Sequence, residues 1–113
     1  LLDNKHKFTM GVVHSFTGTE EELKAIIEFD KGQLSVGVTG ASFKTEDQLK
    51  MVSKIPLDRL MLETDAPYCG IAKKYAGYAH ISTHIPCKYM DKWEKGFPVF
   101  SRNEPCFMMY VFT

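Results

Sequence analysis

The sequence predicts an α/β domain built on parallel strands. Three short apolar or alternating runs, residues 10–16, 34–40 and 60–65, are separated by two amphipathic stretches. Each of those stretches opens on a helix-capping signature, Thr19-x-x-Glu22 and Thr45-x-x-Gln48. Strand, helix, strand, helix, strand at such short spacing implies parallel strands joined by right-handed crossovers.

Residues 1–9 read as the end of a helix and a polar connection, with Asp3-Asn4-Lys5 as its turn. Met10 to Phe16 is a β-branched run ending at Thr17-Gly18, and strand parity assigns Val12, His14 and Phe16 to one face, Val13 and Ser15 to the other. Three acids, Glu20, Glu21 and Glu22, lie at the positive end of the helix that follows, and Leu23, Ile26 and Ile27 form its apolar stripe. That helix is expected to reach about Asp30, with Gly32 as its stop. Leu34 to Gly40 alternates an apolar side, Leu34, Val36 and Val38, with a side of small residues, Ser35, Gly37 and Thr39. The small side either leaves room for an ion or substrate or packs closely around a barrel axis. The second helix turns Leu49 and Val52 inward and stops before Pro56.

In the third run, Leu60-Met61-Leu62-Glu63-Thr64-Asp65-Ala66-Pro67, alternation sets Met61, Glu63 and Asp65 on one face. Two carboxylates side by side at a strand end need a metal, an arginine, a proton or open water, because an uncompensated buried anion costs several kcal/mol. After Tyr68 periodicity fades. The segment 69–105 carries Lys73, Lys74, Lys88, Lys92, Lys95 and Arg102 against Asp91, Glu94 and Glu104, with Tyr75, Tyr78, Tyr89, Trp93 and Phe97 interleaved. An irregular connection of this length in a compact domain is usually functional, and is expected to form a lid or rim. Cys106 to Thr113 reads as the start of a helix.

The totals fit one globular domain: 113 residues, 44% hydrophobic and 25% charged, with 14 basic residues balancing 14 acidic ones. Zero net charge gives no global pull towards nucleic acid or membrane, so any such preference has to be local. No apolar run approaches the roughly 20 residues of a spanning helix, and no signal peptide opens the chain, so an intracellular protein, cytoplasmic or nuclear, with no membrane partner is expected. Three cysteines without a C-x-x-C pair, Cys69, Cys87 and Cys106, argue against a disulfide framework.

His14 and Asp65 fall at the C-terminal ends of the first and third strands, positions that converge on one rim in a parallel sheet. Imidazole and carboxylate are ligands for zinc and manganese, and carboxylate also suits magnesium. A lone histidine at a strand end is more often structural, and two ligands do not close a metal site. Ser15 with His14 and Asp65 makes a poor hydrolytic triad, since parity points Ser15 away and no G-x-S-x-G elbow is present. His80, His84, Cys69 and Cys87 match no zinc-finger spacing and read as ordinary loop side chains.

Taken together, Val13-His14-Ser15-Phe16-Thr17-Gly18, Val36-Gly37-Val38-Thr39-Gly40, Ile55-Pro56-Leu57-Asp58-Arg59-Leu60 running into Glu63-Thr64-Asp65-Ala66-Pro67, and Arg102-Asn103-Glu104-Pro105 resemble the C-terminal part of TatD-type deoxyribonucleases. The segment through Lys92-Trp93-Glu94 and Arg102 to Cys106 most resembles the eukaryotic branch of that family. The resemblance implies a metal-dependent hydrolase with a (β/α)8 TIM-type barrel, of which residues 1–113 form a partial domain holding strands six to eight. It implies two divalent ions per complete site (Mg, Mn or Zn), DNA as the partner and substrate, and often 3′–5′ exonuclease action. It carries over His14 and Asp65 as metal ligands, with Asp65 also catalytic, and leaves Glu63, Arg102, Asn103 and Glu104 as rim positions without an assigned role. Arg102, Lys73 and Lys74 are the candidate substrate-binding residues. The family's amino-terminal H-x-H pair, the bridging glutamate of its fourth strand and the histidine of its fifth have no counterpart here, so this chain is expected to be inactive alone. The alternatives are an amidohydrolase-type metal enzyme cutting C–N bonds, and a non-catalytic remnant that self-associates through an exposed strand edge.

Overall fold

The computed structural model describes residues 2–112. Three parallel strands, β1 (Gly11–Val13), β2 (Leu34–Val38) and β3 (Leu60–Leu62), lie in sequence order with β2 at the centre. Helix α1 (Glu20–Ile27) connects β1 to β2, and α2 (Glu46–Ser53) connects β2 to β3. Both helices begin as the capping signatures require. The Thr19 and Thr45 hydroxyls accept from the N–H groups of Glu22 and Gln48, whose side chains reach back to the cap backbone.

Register settles which residues share a face. Val13, Val36 and Leu60 are aligned across the sheet, as are Val38 and Leu62, and this side is covered by the helices. Buried Phe16, Leu23, Val36, Val38 and Ile55 form the core, with Ile26, Ile27, Val52 and Val111 packed against it. The opposite side carries Val12 beside Ser35 and Gly37 beside Met61, and Val12 and Met61 are exposed. One face of the sheet is therefore built into a core while the other is open. The shape agrees: the radius of gyration is 16.1 Å, against about 13 Å for a compact domain of this length. The chain is a slab of 52 × 29 × 19 Å.

Several elements are shorter than their sequence patterns. β1 ends at Val13, and Ser15 adopts a left-handed backbone (φ 49°), so Phe16 turns into the core beside Val13 rather than sharing a face with Val12. α1 ends at Ile27, and a 3₁₀ turn over Phe29–Gly32 follows, with Asp30, Lys31 and Gly32 all at positive φ. β2 stops at Val38, because Thr39 caps a 3₁₀ turn over Gly40–Phe43. At the start of the chain a 3₁₀ helix runs from Leu2 to Lys7, including the expected turn at Asp3-Asn4-Lys5.

The segment after β3 is irregular, as expected, but it is not loose. A Cβ at Gly77 would meet Phe43 Cβ at 2.6 Å, and one at Gly40 would collide with the Cys69 carbonyl, so the chain passes tightly over the 3₁₀ turn that follows β2. Farther on, Lys88 and Val99 form a parallel bridge, with Phe100 N–H donating to Lys88 O (2.7 Å). The segment closes at Asn103. Its buried amide donates to Thr64 O (2.7 Å) and Tyr68 O (2.6 Å), and its backbone N–H donates to Pro67 O (3.1 Å). A last short helix, α3 (Met108–Phe112), begins where the apolar C-terminal run predicts one. Among the described residues no helix is long and apolar enough to cross a membrane.

Candidate functional site

The C-terminal ends of β1 and β3 bring together His14, Glu63 and Asp65. Glu63 lies one residue beyond β3, where its N–H still bonds to Val38 O (2.9 Å), so strand alternation sends its side chain to the open face. That places it over Gly37. A Cβ on Gly37 would fall 2.5 and 2.6 Å from the two Glu63 carboxylate oxygens, so the glycine's missing side chain is the space the carboxylate occupies. The room anticipated on the small face of β2 is thus filled, at Gly37, by Glu63.

One oxygen of Glu63, Oε2, serves two partners. It lies 2.8 Å from His14 Nδ1 and accepts from Ser15 N–H at 3.0 Å. The left-handed backbone of Ser15 makes the second bond possible, while Phe16 N–H remains bonded to Gly37 O (2.8 Å). The Ser15 hydroxyl lies 2.7 Å from Thr39 Oγ1, and fully buried Thr39 accepts in turn from Ala41 N–H (3.2 Å). Ser15 is therefore held in a structural hydrogen bond, away from His14.

Asp65 arrives by a different route. The strand has ended at Leu62, and Asp65 has a left-handed backbone (φ 53°), so alternation does not set its direction. A turn containing the cis Ala66–Pro67 peptide follows, closed by Tyr68 N–H to Asp65 O at 2.8 Å. The result puts Asp65 Oδ1 3.7 Å from His14 Nε2, while Cys69 Sγ donates to Asp65 Oδ2 at 3.0 Å. Burial, reinforced by its bond to Asp65, raises the Cys69 thiol above its ordinary pKa, so at neutral pH it is an S–H donor.

The 3.7 Å gap has chemical content. It is wider than a hydrogen bond, which spans about 2.7–3.2 Å, so a proton does not bridge it well. An imidazole nitrogen and a carboxylate oxygen are both ligand types for zinc and manganese, and the carboxylate also suits magnesium. His14 Nδ1 is engaged by Glu63, and its other ring nitrogen, Nε2, faces a carboxylate oxygen of Asp65 across this gap. They fit as part of a ligand set. Among the described residues no group of three or more His, Cys, Asp and Glu side chains forms a metal site.

The other sequence candidates lie elsewhere. Lys73 and Lys74 are exposed on the turn before the 3₁₀ segment Ala76–His80, and Arg102 is exposed just before Asn103. No hydrogen bond or ion pair joins any of the three to His14, Glu63 or Asp65 among the described residues. His84 stacks on Tyr78 at 5.2 Å, and Cys87 donates to Ile85 O, so neither stands with Cys69. Sequence reasoning left Glu63 without a role and considered Cys69 only as a zinc ligand. The pairing of Glu63 with Gly37 was the signal available, but it needs the register of β2 against β3 to be read.

The family model described as TatD related DNase matches residues 1–113. Deoxyribonuclease Tat-D of Schizosaccharomyces pombe is 44% identical over 99 residues, covering 85% of this chain and 30% of that protein. The 3'-5' ssDNA/RNA exonuclease TatD of Pantoea ananatis is 34% identical over 108 residues, covering 93% of this chain and 33% of that protein. The crystal structure of a hydrolase TatD family protein from Entamoeba histolytica superposes with a TM-score of 0.86 at 35% identity, over 97% of this chain and 36% of that one. The chain thus spans about a third of the length of the relatives it matches. On the matched motifs, the superposed sheet and the shared sequence, this chain belongs to the TatD-related DNase family, hydrolases that act on ester bonds.

Proposed function

We propose that the protein carrying this chain is a metal-dependent deoxyribonuclease, and that residues 1–113 contribute strands six to eight of its (β/α)8 barrel. The open sheet face with exposed Val12 and Met61 supports the barrel reading, since that face would line a closed interior. The observation that carries the function is the 3.7 Å edge between His14 Nε2 and Asp65 Oδ1 at the C-terminal rim of a parallel sheet. In this reading His14 and Asp65 are two ligands of a divalent cation, Mg, Mn or Zn, and the remaining ligands of a two-ion site come from outside the chain.

A bound ion would polarise the phosphodiester and lower the pKa of water. The chain's own residues supply the rest. Asp65 would contribute negative charge at the reacting centre, and His14 a ring nitrogen facing it. Arg102, Lys73 and Lys74 supply exposed positive charge for the phosphate backbone of DNA, and nearby exposed Tyr89 and Trp93 offer stacking faces in the same segment. Asn103 ties Arg102 to the turn that carries Asp65. The segment 69–105 acts in this reading as a rim of the site, and 3′–5′ exonuclease action is the expected mode.

Two donors do not retain a pair of ions, so the 113-residue chain by itself has no turnover, and its free β1 edge favours self-association. Magnesium- or manganese-dependent cleavage of DNA by the isolated chain would overturn that. In the full-length protein, His14→Ala and Asp65→Ala should each remove most DNA cleavage, and Lys73→Ala with Lys74→Ala should weaken DNA binding and flatten its salt dependence. Wild-type cleavage by either ligand variant would remove that residue from the site.

A further inference from the structure

Of the three side chains that meet at the ends of β1 and β3, the most buried is neither proposed ligand but the carboxylate behind one of them. Glu63 Oε2 bonds both His14 Nδ1 (2.8 Å) and the Ser15 N–H (3.0 Å), so it holds the ring and the backbone next to the ring at once. Its side chain is 22% exposed against 59% for the imidazole. The space it fills exists because residue 37 has no Cβ. A carboxylate seated in a slot in the neighbouring strand and bonded on two sides has far less freedom than a surface glutamate.

We propose that Glu63 is a positioning residue: by accepting from Nδ1–H it fixes the His14 tautomer and ring plane so that the Nε2 lone pair faces Asp65 Oδ1. This rests on the reading of His14 and Asp65 as cation ligands. Asp65 is oriented in a parallel way, because the Cys69 thiol occupies Oδ2 and leaves Oδ1 towards the ring. A carboxylate hydrogen-bonded to a ligating imidazole raises the basicity of the donor nitrogen, and losing such a partner typically weakens metal binding by about 10–100-fold. Glu63 itself is not a ligand in this arrangement. Its bonded oxygen is already shared by two N–H groups, and it sits at the ring nitrogen away from Asp65.

The test uses the full-length protein with ¹⁵N-labelled histidine, His14 being assigned with the aid of His14→Ala. In the metal-free wild type, at a pH where the ring is neutral, long-range ¹⁵N–¹H correlations should show the Nδ1–H tautomer of His14. Glu63→Ala should shift it towards Nε2–H and weaken Mn²⁺ binding, measured by calorimetry, by about 10–100-fold. Glu63→Gln, whose amide oxygen can still accept from both N–H groups, should keep the Nδ1–H tautomer and lose less affinity than Glu63→Ala. If Glu63→Ala does not fold, Gly37→Ala displaces the carboxylate without deleting it and should move the same two readouts in the same direction. A variant that merely lowers thermal stability, with the wild-type tautomer and Mn²⁺ affinity within about twofold, overturns the proposal. Absence of Mn²⁺ binding by the wild type would instead refute the ligand reading, while the tautomer still decides whether Glu63 sets the ring.

Discussion

Replacing Gly37 by alanine puts a methyl group where the Glu63 carboxylate now lies, 2.5 and 2.6 Å from its oxygens, so the carboxylate has to leave. Two hydrogen bonds to a charged group then break, those from His14 Nδ1 and Ser15 N–H. Such bonds are worth about 1.5–3 kcal/mol each. Because His14 is largely exposed, water recovers part of the loss and the lower figure applies, about 3 kcal/mol for the pair. Against this, alanine at an unstrained position stabilises by about 0.4–1 kcal/mol through the unfolded chain. A net loss of about 2 kcal/mol is expected, read as a shift of the urea midpoint at unchanged slope. The decisive measurement is the double-mutant cycle with Glu63→Ala. Once the carboxylate is gone the new methyl group has space, and Gly37→Ala should become neutral or slightly stabilising. Equal destabilisation in both backgrounds would show that the glycine serves some other contact and that the slot for Glu63 is incidental.

Three further outcomes follow from the packing. Asn103→Ala removes two donated bonds, to Thr64 O and Tyr68 O, at a buried position; denaturation should show a loss of about 2–3 kcal/mol, with faster proteolysis in residues 88–102. Thr19→Ala and Thr45→Ala each delete one half of a capping box, and each should cost about 1 kcal/mol in the same assay. Burial first, and then the hydrogen bond to Asp65 for Cys69 and the charges of Cys106 and Glu104 for Cys87, raises both thiols above the ordinary value of 9.0. The folded state therefore favours their protonated forms, so this contribution to stability is intact below about pH 9 and is lost as the pH rises beyond it towards the raised folded values. At pH 8, iodoacetamide should accordingly modify exposed Cys106 before either of them, a ranking that mass spectrometry of the digested protein checks.

Much of the scaffold was legible because its signals are local. Thr19 with Glu22 and Thr45 with Gln48 are capping boxes in the folded chain as in the sequence, and the short strand–helix spacings produce the parallel order β1-β2-β3. Element ends were less legible. In a linear reading the α1 pattern runs on through Phe29 and Asp30, but the α-helix ends at Ile27 and gives way to a 3₁₀ turn in which Asp30 and Lys31 are left-handed, a backbone that residue type alone does not announce.

The rim shows the same limit in a more instructive form. Alternation along the third run assigned Glu63 and Asp65 to one face, and both do converge on His14, yet only Glu63 arrives there by alternation. Its N–H is still in the ladder with Val38, whereas Asp65 lies three residues past the last strand residue and is turned towards the ring by positive φ. The same happens at β1, where Ser15 leaves the strand conformation and carries Phe16 back into the core. Periodicity describes the chain only while the hydrogen-bond ladder constrains it, and a site at the C-terminal rim begins where the ladder ends. What fixes the side chains beyond that point is tertiary: a slot left by a glycine one strand away, a thiol four residues on, and an asparagine that returns from residue 103 to close the turn. Residues of that kind are found by asking which side chain a missing Cβ makes room for, and in this chain the question leads to Glu63.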